Sequence, residues 1–241
     1  RGGRSRACPS SGCCAAAGAR APRDGTRVGV GAYGSSNGGT GQGTPTVAGV
    51  AALPYVPDVP VVPRRTLVLG GARSGKSWEA ERRLETFPDV LYVATGGTRC
   101  DDPEWAARIR AHRERRPGSW QTVETCDLVP LLDTEGPALL VDCLSLWLTT
   151  MMDEVGAWDD AAWSEGGARE LRRRVAALTD AVRRTPRTLV VVSNEVGSGI
   201  VPATASGRRY RDELGRLNAA CAAECEHVLL MVAGQALVLR G

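Results

Sequence analysis

The segment of residues 70–77 combines the residue types that hold phosphate groups. It reads Gly-Gly-Ala-Arg-Ser-Gly-Lys-Ser, which matches the pattern G-x-x-x-x-G-K-S, and it lies between an apolar strand and a polar helix. In that context glycine-rich backbone N–H groups and a helix N-terminus surround phosphate oxygens. Lys76 would reach the β and γ phosphates, and Ser77 would ligate Mg²⁺. The predicted nucleotide-binding residues of this loop are Gly70, Gly71, Ala72, Arg73, Ser74, Gly75, Lys76 and Ser77.

Lys76 is also unusual in the composition of the chain. It is the only lysine in the sequence, against 29 arginines. The chain uses arginine wherever a general cation suffices, so its one lysine marks a position that a planar guanidinium would not fit. A compact ammonium inside a phosphate-binding loop is such a position, and we predict Lys76 as a catalytic residue.

Asp142 is the predicted second metal ligand. It ends the apolar run Ala-Leu-Leu-Val at 138–141. In phosphate-loop enzymes an aspartate at such a strand end holds Mg²⁺ beside the loop serine. The alternative is an ordinary cap of the following helix. The phosphate loop needs such a partner, so the metal role is favoured.

A third group of polar residues follows the run at 188–193. Asn194 and Glu195 open a glycine-rich loop that continues to Pro202. Ligands of open α/β sheets bind at the carboxyl ends of strands, so this loop is expected to border the nucleotide site. A plain flexible connector explains the same residues equally well.

His112 lies in a segment that is rich in arginine. In a helix it would share a face with Arg108 and with Arg115 or Arg116. A neutral imidazole between guanidinium groups suits nucleophilic attack on a phosphate. The residues alone nevertheless favour a solvated basic helix that carries one histidine. Cys221, Cys225 and His227 could suggest a metal site, but cysteines four apart on an apolar helix favour a core position.

The elements that position these residues alternate between strand and helix. Apolar, valine-rich runs that are nearly continuous are typical of parallel strands covered on both faces. We therefore predict an α/β, RecA-like P-loop NTPase fold: a mostly parallel sheet flanked by helices, with an antiparallel edge strand. The predicted strands are 66–69, 90–94, 138–141, 188–193, 228–233 and 236–239, and the predicted helices are 76–85, 103–116, 144–154, 161–184 and 208–226.

Composition divides the chain into a tail and a domain. Residues 1–63 are rich in Gly, Ala, Ser, Pro and Arg and predict a disordered, low-complexity tail. The net charge of +3 comes from that tail, whose six arginines and two aspartates leave 24 basic and 25 acidic residues in the domain at 64–241. Such a domain gives no electrostatic reason to expect a nucleic-acid or membrane partner. Eight scattered cysteines without CxxC spacing favour a cytoplasmic location.

Several segments, in their order, resemble the bifunctional adenosylcobinamide kinase / adenosylcobinamide-phosphate guanylyltransferase family of cobalamin biosynthesis. The resemblance covers essentially all of 66–241 and none of the tail, and the combination is far more specific than a phosphate loop alone. The matching segments are 70–77, 91–95, 108–117, 120–124, 141–149, 194–202 and 210–218.

The resemblance implies two reactions. ATP or GTP phosphorylates the aminopropanol hydroxyl of the corrinoid adenosylcobinamide. GTP then transfers GMP, through a histidine, to adenosylcobinamide phosphate, giving adenosylcobinamide-GDP. The guanylylated histidine of the family falls on His112, which reverses the interpretation from the residues alone. The resemblance also implies nucleotide contacts by Arg108 and Glu124, and a homotrimer.

Three other functions compete with this expectation. The first is a different P-loop small-molecule kinase without the transferase step. The second, a GTP-dependent switch, reads guanine through Asn-Lys-x-Asp, which a chain with its one lysine in the phosphate loop does not contain. The third is a scaffold that binds nucleotide without turnover.

Overall fold

The apolar runs of the sequence form one seven-stranded sheet. The structure is a computed structural model, and it describes residues 63–96, 110, 114 and 116–241. The strands are β1 Arg65–Gly70, β2 Val90–Ala94, β3 Gln121–Glu124, β4 Ala138–Asp142, β5 Leu189–Asn194, β6 His227–Val232 and β7 Gln235–Arg240. Their order across the sheet is β3-β2-β4-β5-β1-β6-β7.

The strand directions confirm the predicted fold class. Every neighbouring pair from β3 to β6 is parallel, and only β6 and β7 pair antiparallel. A tight turn at Ala233 and Gly234, both with positive φ, joins these last two strands. β1 lies between β5 and β6, so the strand that leads into the phosphate loop is supported on both sides.

Helices connect the strands and cover both faces of the sheet. Alternate residues of the strands enter opposite cores: Leu67 and Val141 pack beneath the longer helices, and Val68 and Leu140 pack on the other face. The helices are α1 Lys76–Arg83, α2 Leu128–Asp133, α3 Leu144–Glu154, α4 Asp160–Ala162, α5 Ala168–Arg184 and α6 Ala205–Ala223. In the described ranges, no helix is long and apolar enough to cross a membrane.

The single helix predicted for 161–184 is wrong, because a π-helical turn at Trp163–Gly167 separates α4 from α5. Gly166 departs from helical geometry with φ 170° and ψ −18°. At Gly167 an added Cβ would lie 2.6 Å from the carbonyl oxygen of Val155. A close backbone contact therefore accompanies the irregular turn, and the absence of a side chain at Gly167 permits it.

Two elements lack a sequence prediction, and two predictions lie mostly outside the described residues. The unpredicted elements are β3 and α2. The carbonyls of Thr134 and Glu135, just after α2, accept hydrogen bonds from the buried guanidinium of Arg187 at 2.6 and 2.9 Å.

Of the helix predicted at 103–116, only Arg110, Glu114 and Arg116 are described, and the first two are helical. Of the predicted tail, only Pro63 is described.

Candidate active site

The phosphate loop has the geometry that its sequence predicts. It leaves β1 at Gly70, and α1 begins at Lys76 after Gly75, whose φ of 94° lies in the left-handed region. The N–H of Ser74 donates to the Gly71 carbonyl at 3.3 Å, so the loop turns back on itself. The Lys76 ammonium donates to the same carbonyl, with Nζ and O 3.1 Å apart. The lysine is thereby held across the loop, at the N-terminus of α1.

Gly70 sits where a side chain has no room. A Cβ added there would lie 2.4 Å from Ser74 Oγ and 2.9 Å from the backbone oxygen of Met231. Within the described part of the chain, Ser74 Oγ is buried and makes no hydrogen bond. A buried hydroxyl without a hydrogen-bond partner is chemically suited to donate to a phosphate oxygen.

The turn between β6 and β7 supports the phosphate loop from one side. The Gly234 N–H donates to the Ser74 carbonyl at 3.1 Å. The loop after β5 supports it from the other side, because the Glu195 N–H donates to the Gly70 carbonyl at 3.0 Å. The structure therefore brings Glu195 to the phosphate loop, as expected from strand ends that share one edge of the sheet.

Asn194 and Glu195 are fixed by local contacts. The Asn194 carbonyl accepts from the Asn218 side chain at 2.9 Å, and Asn218 Oδ1 accepts from the buried Ser193 hydroxyl at 2.6 Å. A Glu195 carboxylate oxygen accepts from the Gly197 N–H. The contacts of Asn218 tie the end of β5 to α6, and the contact between Glu195 and Gly197 lies within the loop that follows. Beyond them, Ile200 is 96% exposed and Val201 61% exposed.

Asp142 lies at the carboxyl end of β4, two strands from β1 in the sheet order. At about 4.8 Å per strand, that places it roughly 10 Å across the sheet from the phosphate loop. One carboxylate oxygen, Oδ2, accepts a hydrogen bond from the Tyr92 hydroxyl at 3.0 Å. Burial and the neighbouring Asp142 charge raise the pKa of Tyr92, so its hydroxyl remains a donor.

Thr95 makes two hydrogen bonds to the backbone of Cys143, the residue that follows Asp142. The Asp142–Cys143 peptide bond is cis. Thr95 Oγ1 donates to the Cys143 carbonyl at 2.7 Å and accepts from the Cys143 N–H at 3.0 Å. Burial and the Asp142 charge raise the pKa of the Cys143 thiol, while the positive charge of Lys76 opposes them.

Asp142 and Ser77 fit a magnesium ion by their chemistry. Both offer oxygen ligands, which Mg²⁺ prefers. Both side chains are partly exposed, on the side of the sheet where the parallel strands end. The hydrogen bond from Tyr92 occupies Asp142 Oδ2 and orients the carboxylate.

Of the remaining predicted site residues the structure describes only Glu124, which it does not bring to the phosphate loop. Glu124 ends β3, at the far edge of the sheet and four strands from β1. That separation is about 19 Å at the usual strand spacing. Arg108 and His112 lie outside the described residues.

Cys221, Cys225 and His227 make packing and local contacts within the fold. Cys221 and Cys225 are buried in the hydrophobic core. Burial raises the pKa of both thiols, in the case of Cys225 to about 12. His227 Nδ1 lies 3.0 Å from a guanidinium nitrogen of Arg83. The core position favoured by the sequence is confirmed for both cysteines.

Comparison with known proteins decides the family. Residues 66–239 match the family described as cobinamide kinase / cobinamide phosphate guanyltransferase. This chain belongs to that family. The match covers the whole described sheet apart from its two end residues, and it confirms the resemblance that the motifs indicate.

Curated relatives agree with the family match. A bifunctional adenosylcobalamin biosynthesis protein CobP of Pseudomonas aeruginosa is 43% identical over 182 residues, which cover 73% of this chain and 98% of that protein. The proteins of the same description named CobU are 38% identical in Salmonella typhimurium and 37% in Escherichia coli, each covering 70% of this chain and 95% of the relative. Among solved structures, a type III secretion ATPase superposes on 69% of this chain and 50% of its own with a TM-score of 0.45 and 11% identity, too remote to bear on function.

In this family member, the contacts of three residues near the site were not predicted from the sequence. Tyr92 holds the carboxylate of Asp142, and Thr95 holds the backbone that follows it. Arg116 stacks on Tyr92, with its guanidinium carbon 3.5 Å from the centre of the ring. Tyr92 and Thr95 lie in a segment that matches the family, but only the pairing of β2 with β4 shows what they contact.

Proposed function

We propose that this chain phosphorylates adenosylcobinamide and then guanylylates the product, and that residues 64–241 form the domain that does so. The observation that carries the proposal is the phosphate loop with the only lysine of the sequence, held at the N-terminus of α1, in a chain that belongs to the cobinamide kinase / guanyltransferase family. The names of the curated relatives support both activities.

In the first reaction the hydroxyl of the corrinoid attacks the γ-phosphorus of ATP or GTP. The bond from that phosphorus to the β–γ bridging oxygen breaks, the nucleoside diphosphate leaves, and the hydroxyl proton is released. Lys76 would neutralise charge on the transferred phosphoryl group, and the backbone N–H groups of residues 70–77 would hold the phosphates. Asn194 and Glu195, which flank the loop, would contact the nucleotide or the attacking hydroxyl.

Ser77 and Asp142 would hold the Mg²⁺ ion of the bound nucleotide. When bound, the ion supplies positive charge between the phosphate oxygens. The donor types and the orientation of Asp142 by Tyr92 support this assignment.

In the second reaction a ring nitrogen of His112 attacks the α-phosphorus of GTP, and pyrophosphate leaves. A phosphate oxygen of adenosylcobinamide phosphate then attacks the same phosphorus, the bond to nitrogen breaks, and His112 is regenerated. Arg108 and Glu124 would contact the guanine nucleotide. Family resemblance carries these assignments, and Glu124 at the far edge of the sheet suits a nucleotide held away from the phosphate loop.

A homotrimer is the proposed assembly. Large apolar side chains of the last strand pair are at least half exposed: Val232, Leu237, Val238 and Leu239. β7 is the edge of the sheet, with no strand on its outer side in the described residues. An exposed apolar edge strand is a surface that proteins usually cover.

A cytoplasmic location is the proposed setting, because the described cysteines are free thiols.

The deciding experiment is labelling with GTP that is radioactive at the α-phosphate, in the presence of Mg²⁺, followed by denaturation. We expect acid-labile label on the wild type and none on His112→Ala. His227→Gln is the matched control, because His227 is the only other histidine in the sequence, and it should keep its label. No label on the wild type would leave a P-loop kinase without the transferase step. Label retained by His112→Ala would overturn the assignment of His112.

A further inference from the structure

Tyr92 contacts two functional parts of the molecule with two different parts of its side chain. It is a β2 residue, buried to 5% exposure. Its hydroxyl donates to Asp142 Oδ2 at 3.0 Å. The face of its ring receives the guanidinium of Arg116, whose central carbon lies 3.5 Å from the ring centre. One buried side chain therefore joins the end of β4 to the segment that precedes β3.

Arg116 is held in this position by a second contact. One of its guanidinium nitrogens donates to Thr122 Oγ1 at 3.1 Å. Thr122 is the β3 residue directly opposite Tyr92 in the pairing of β2 with β3. The guanidinium is thus fixed across two neighbouring strands, over an aromatic ring, which is a favourable place for a delocalised cation. The positive charge of Arg116 also opposes the rise in the pKa of Tyr92.

Arg116 lies four residues after His112 in the sequence. The chain that leads back to His112 therefore starts from a residue whose side chain is held on the sheet. The Tyr92 hydroxyl, by contrast, fixes the orientation of the proposed Mg²⁺ ligand Asp142. The hydroxyl contact bears on the proposed metal site, and the ring contact bears on the chain that leads to His112.

We infer that Tyr92 is a positioning residue for both reactions: its hydroxyl orients Asp142, the proposed metal ligand, and its ring holds Arg116, the described residue four positions after His112 in the sequence. The inference rests on the proposed function. It makes two separable statements, because the hydroxyl and the ring face can be removed independently.

Tyr92→Phe removes the hydroxyl and keeps the ring for Arg116. The Asp142 carboxylate then loses its orienting donor, and such partners typically contribute 10- to 100-fold to metal affinity. We expect the enzyme with ADP to bind Mn²⁺, the paramagnetic substitute for Mg²⁺, about 10-fold more weakly in an electron paramagnetic resonance titration. Tyr210→Phe is the matched control. Its hydroxyl donates to the Ser145 carbonyl at 3.3 Å, and its loss should leave Mn²⁺ affinity within about twofold.

Arg116→Gln removes the cation over the ring and keeps the Tyr92 hydroxyl. We expect the initial rate of guanylyl labelling, measured at a saturating metal concentration, to fall about 10-fold. Mn²⁺ affinity should stay within about twofold, while Tyr92→Phe should label at about the wild-type rate under the same saturating conditions. Arg173→Gln, an exposed arginine on α5, controls for the loss of one positive charge.

Wild-type Mn²⁺ affinity in Tyr92→Phe, or wild-type labelling in Arg116→Gln, would overturn the inference. Equal loss of both readouts in both variants would also overturn it, since that pattern reports general damage to the fold. A wild type that keeps no label fails the proposed transferase function instead, and the Mn²⁺ titration then still decides the role of the hydroxyl.

Discussion

The backbone N–H of Glu195 donates a hydrogen bond to the carbonyl oxygen of Gly70, with nitrogen and oxygen 3.0 Å apart. The first residue of the phosphate loop is thereby fastened to the first residue after β5. A change in the loop after β5 can therefore reach the phosphate loop through one backbone contact, without passing through a side chain.

Replacing Lys76 should abolish phosphorylation. In Lys76→Ala the transferred phosphoryl group loses its main side-chain cation, so we expect the rate to fall by at least about 10²-fold. Lys76→Arg should fail as well, because a planar guanidinium does not replace a compact ammonium inside the loop. The measurement is the initial rate of phosphate transfer from labelled ATP to adenosylcobinamide, with thermal unfolding as the check on folding. A normal rate in Lys76→Ala would overturn the assignment of the loop.

Two adjacent glycines should respond differently to the same substitution. Gly70→Ala places a methyl group 2.4 Å from Ser74 Oγ and 2.9 Å from a backbone oxygen, whereas a Cβ at Gly71 meets nothing within 4 Å. We expect Gly70→Ala to lower the free energy of unfolding by about 1–3 kcal/mol, as overpacking does, and Gly71→Ala to change it little. Urea denaturation measures both variants. Equal stability of the two would show that the loop relaxes around the added methyl group.

His227 should make the protein less stable in mild acid. Burial and the positive charge of Arg83 lower the pKa of His227, so the unfolded chain binds its proton more readily than the folded chain. Its effect on the free energy of unfolding is absent well above pH 6.5. Stability is then lost as pH falls below about 6.5, until the folded pKa is passed.

Urea denaturation at pH 7.5 and pH 5.5 measures this effect, and His227→Gln should show a smaller difference between the two. His112→Gln is the control, and it should keep the wild-type difference. The same pH dependence in wild type and His227→Gln would assign the acid sensitivity to other groups. Glu224 and Glu226, whose pKa values are also lowered, act at more acidic pH.

A charge introduced on β7 should dissociate the proposed trimer without unfolding the subunit. The Val238 side chain is 62% exposed in the single chain, so an aspartate there meets water unless another subunit covers it. We expect Val238→Asp to shift the molar mass, measured by light scattering during gel filtration, from three subunits to one. Ala176→Asp, on the exposed side of α5, should leave the mass unchanged. A trimeric Val238→Asp would place the interface elsewhere.

The sequence was sufficient to predict the strands that lie inside the sheet. β2, β4, β5 and β6 are buried on both faces and therefore carry continuous apolar runs, and the structure matches their predicted positions within two residues. β3 is an edge strand with the sequence Gln-Thr-Val-Glu, mostly exposed, so no apolar pattern marks it. α2 carries Pro130 near its start, and a proline in a short apolar segment usually indicates a loop.

The phosphate loop was predictable because its chemistry is local in the sequence. The hydrogen bond that orients Asp142 was not predictable, because its donor, the Tyr92 hydroxyl, lies 50 positions away in the sequence, on a neighbouring strand. Such a contact depends on the order and register of the strands, which periodicity does not determine. Ser74 is a similar case, since its burial follows from the closing of the loop against the turn after β6.

The position of β1 between β5 and β6 has a consequence for synthesis on the ribosome. The strand that leads into the phosphate loop is translated before either of its neighbours, which are β5 at Leu189–Asn194 and β6 at His227–Val232. A nascent chain therefore exposes an apolar strand with unpaired backbone on both edges until more than a hundred further residues have emerged. We expect the folding of this domain to be largely post-translational and helped by holding chaperones that keep β1 from pairing with other chains.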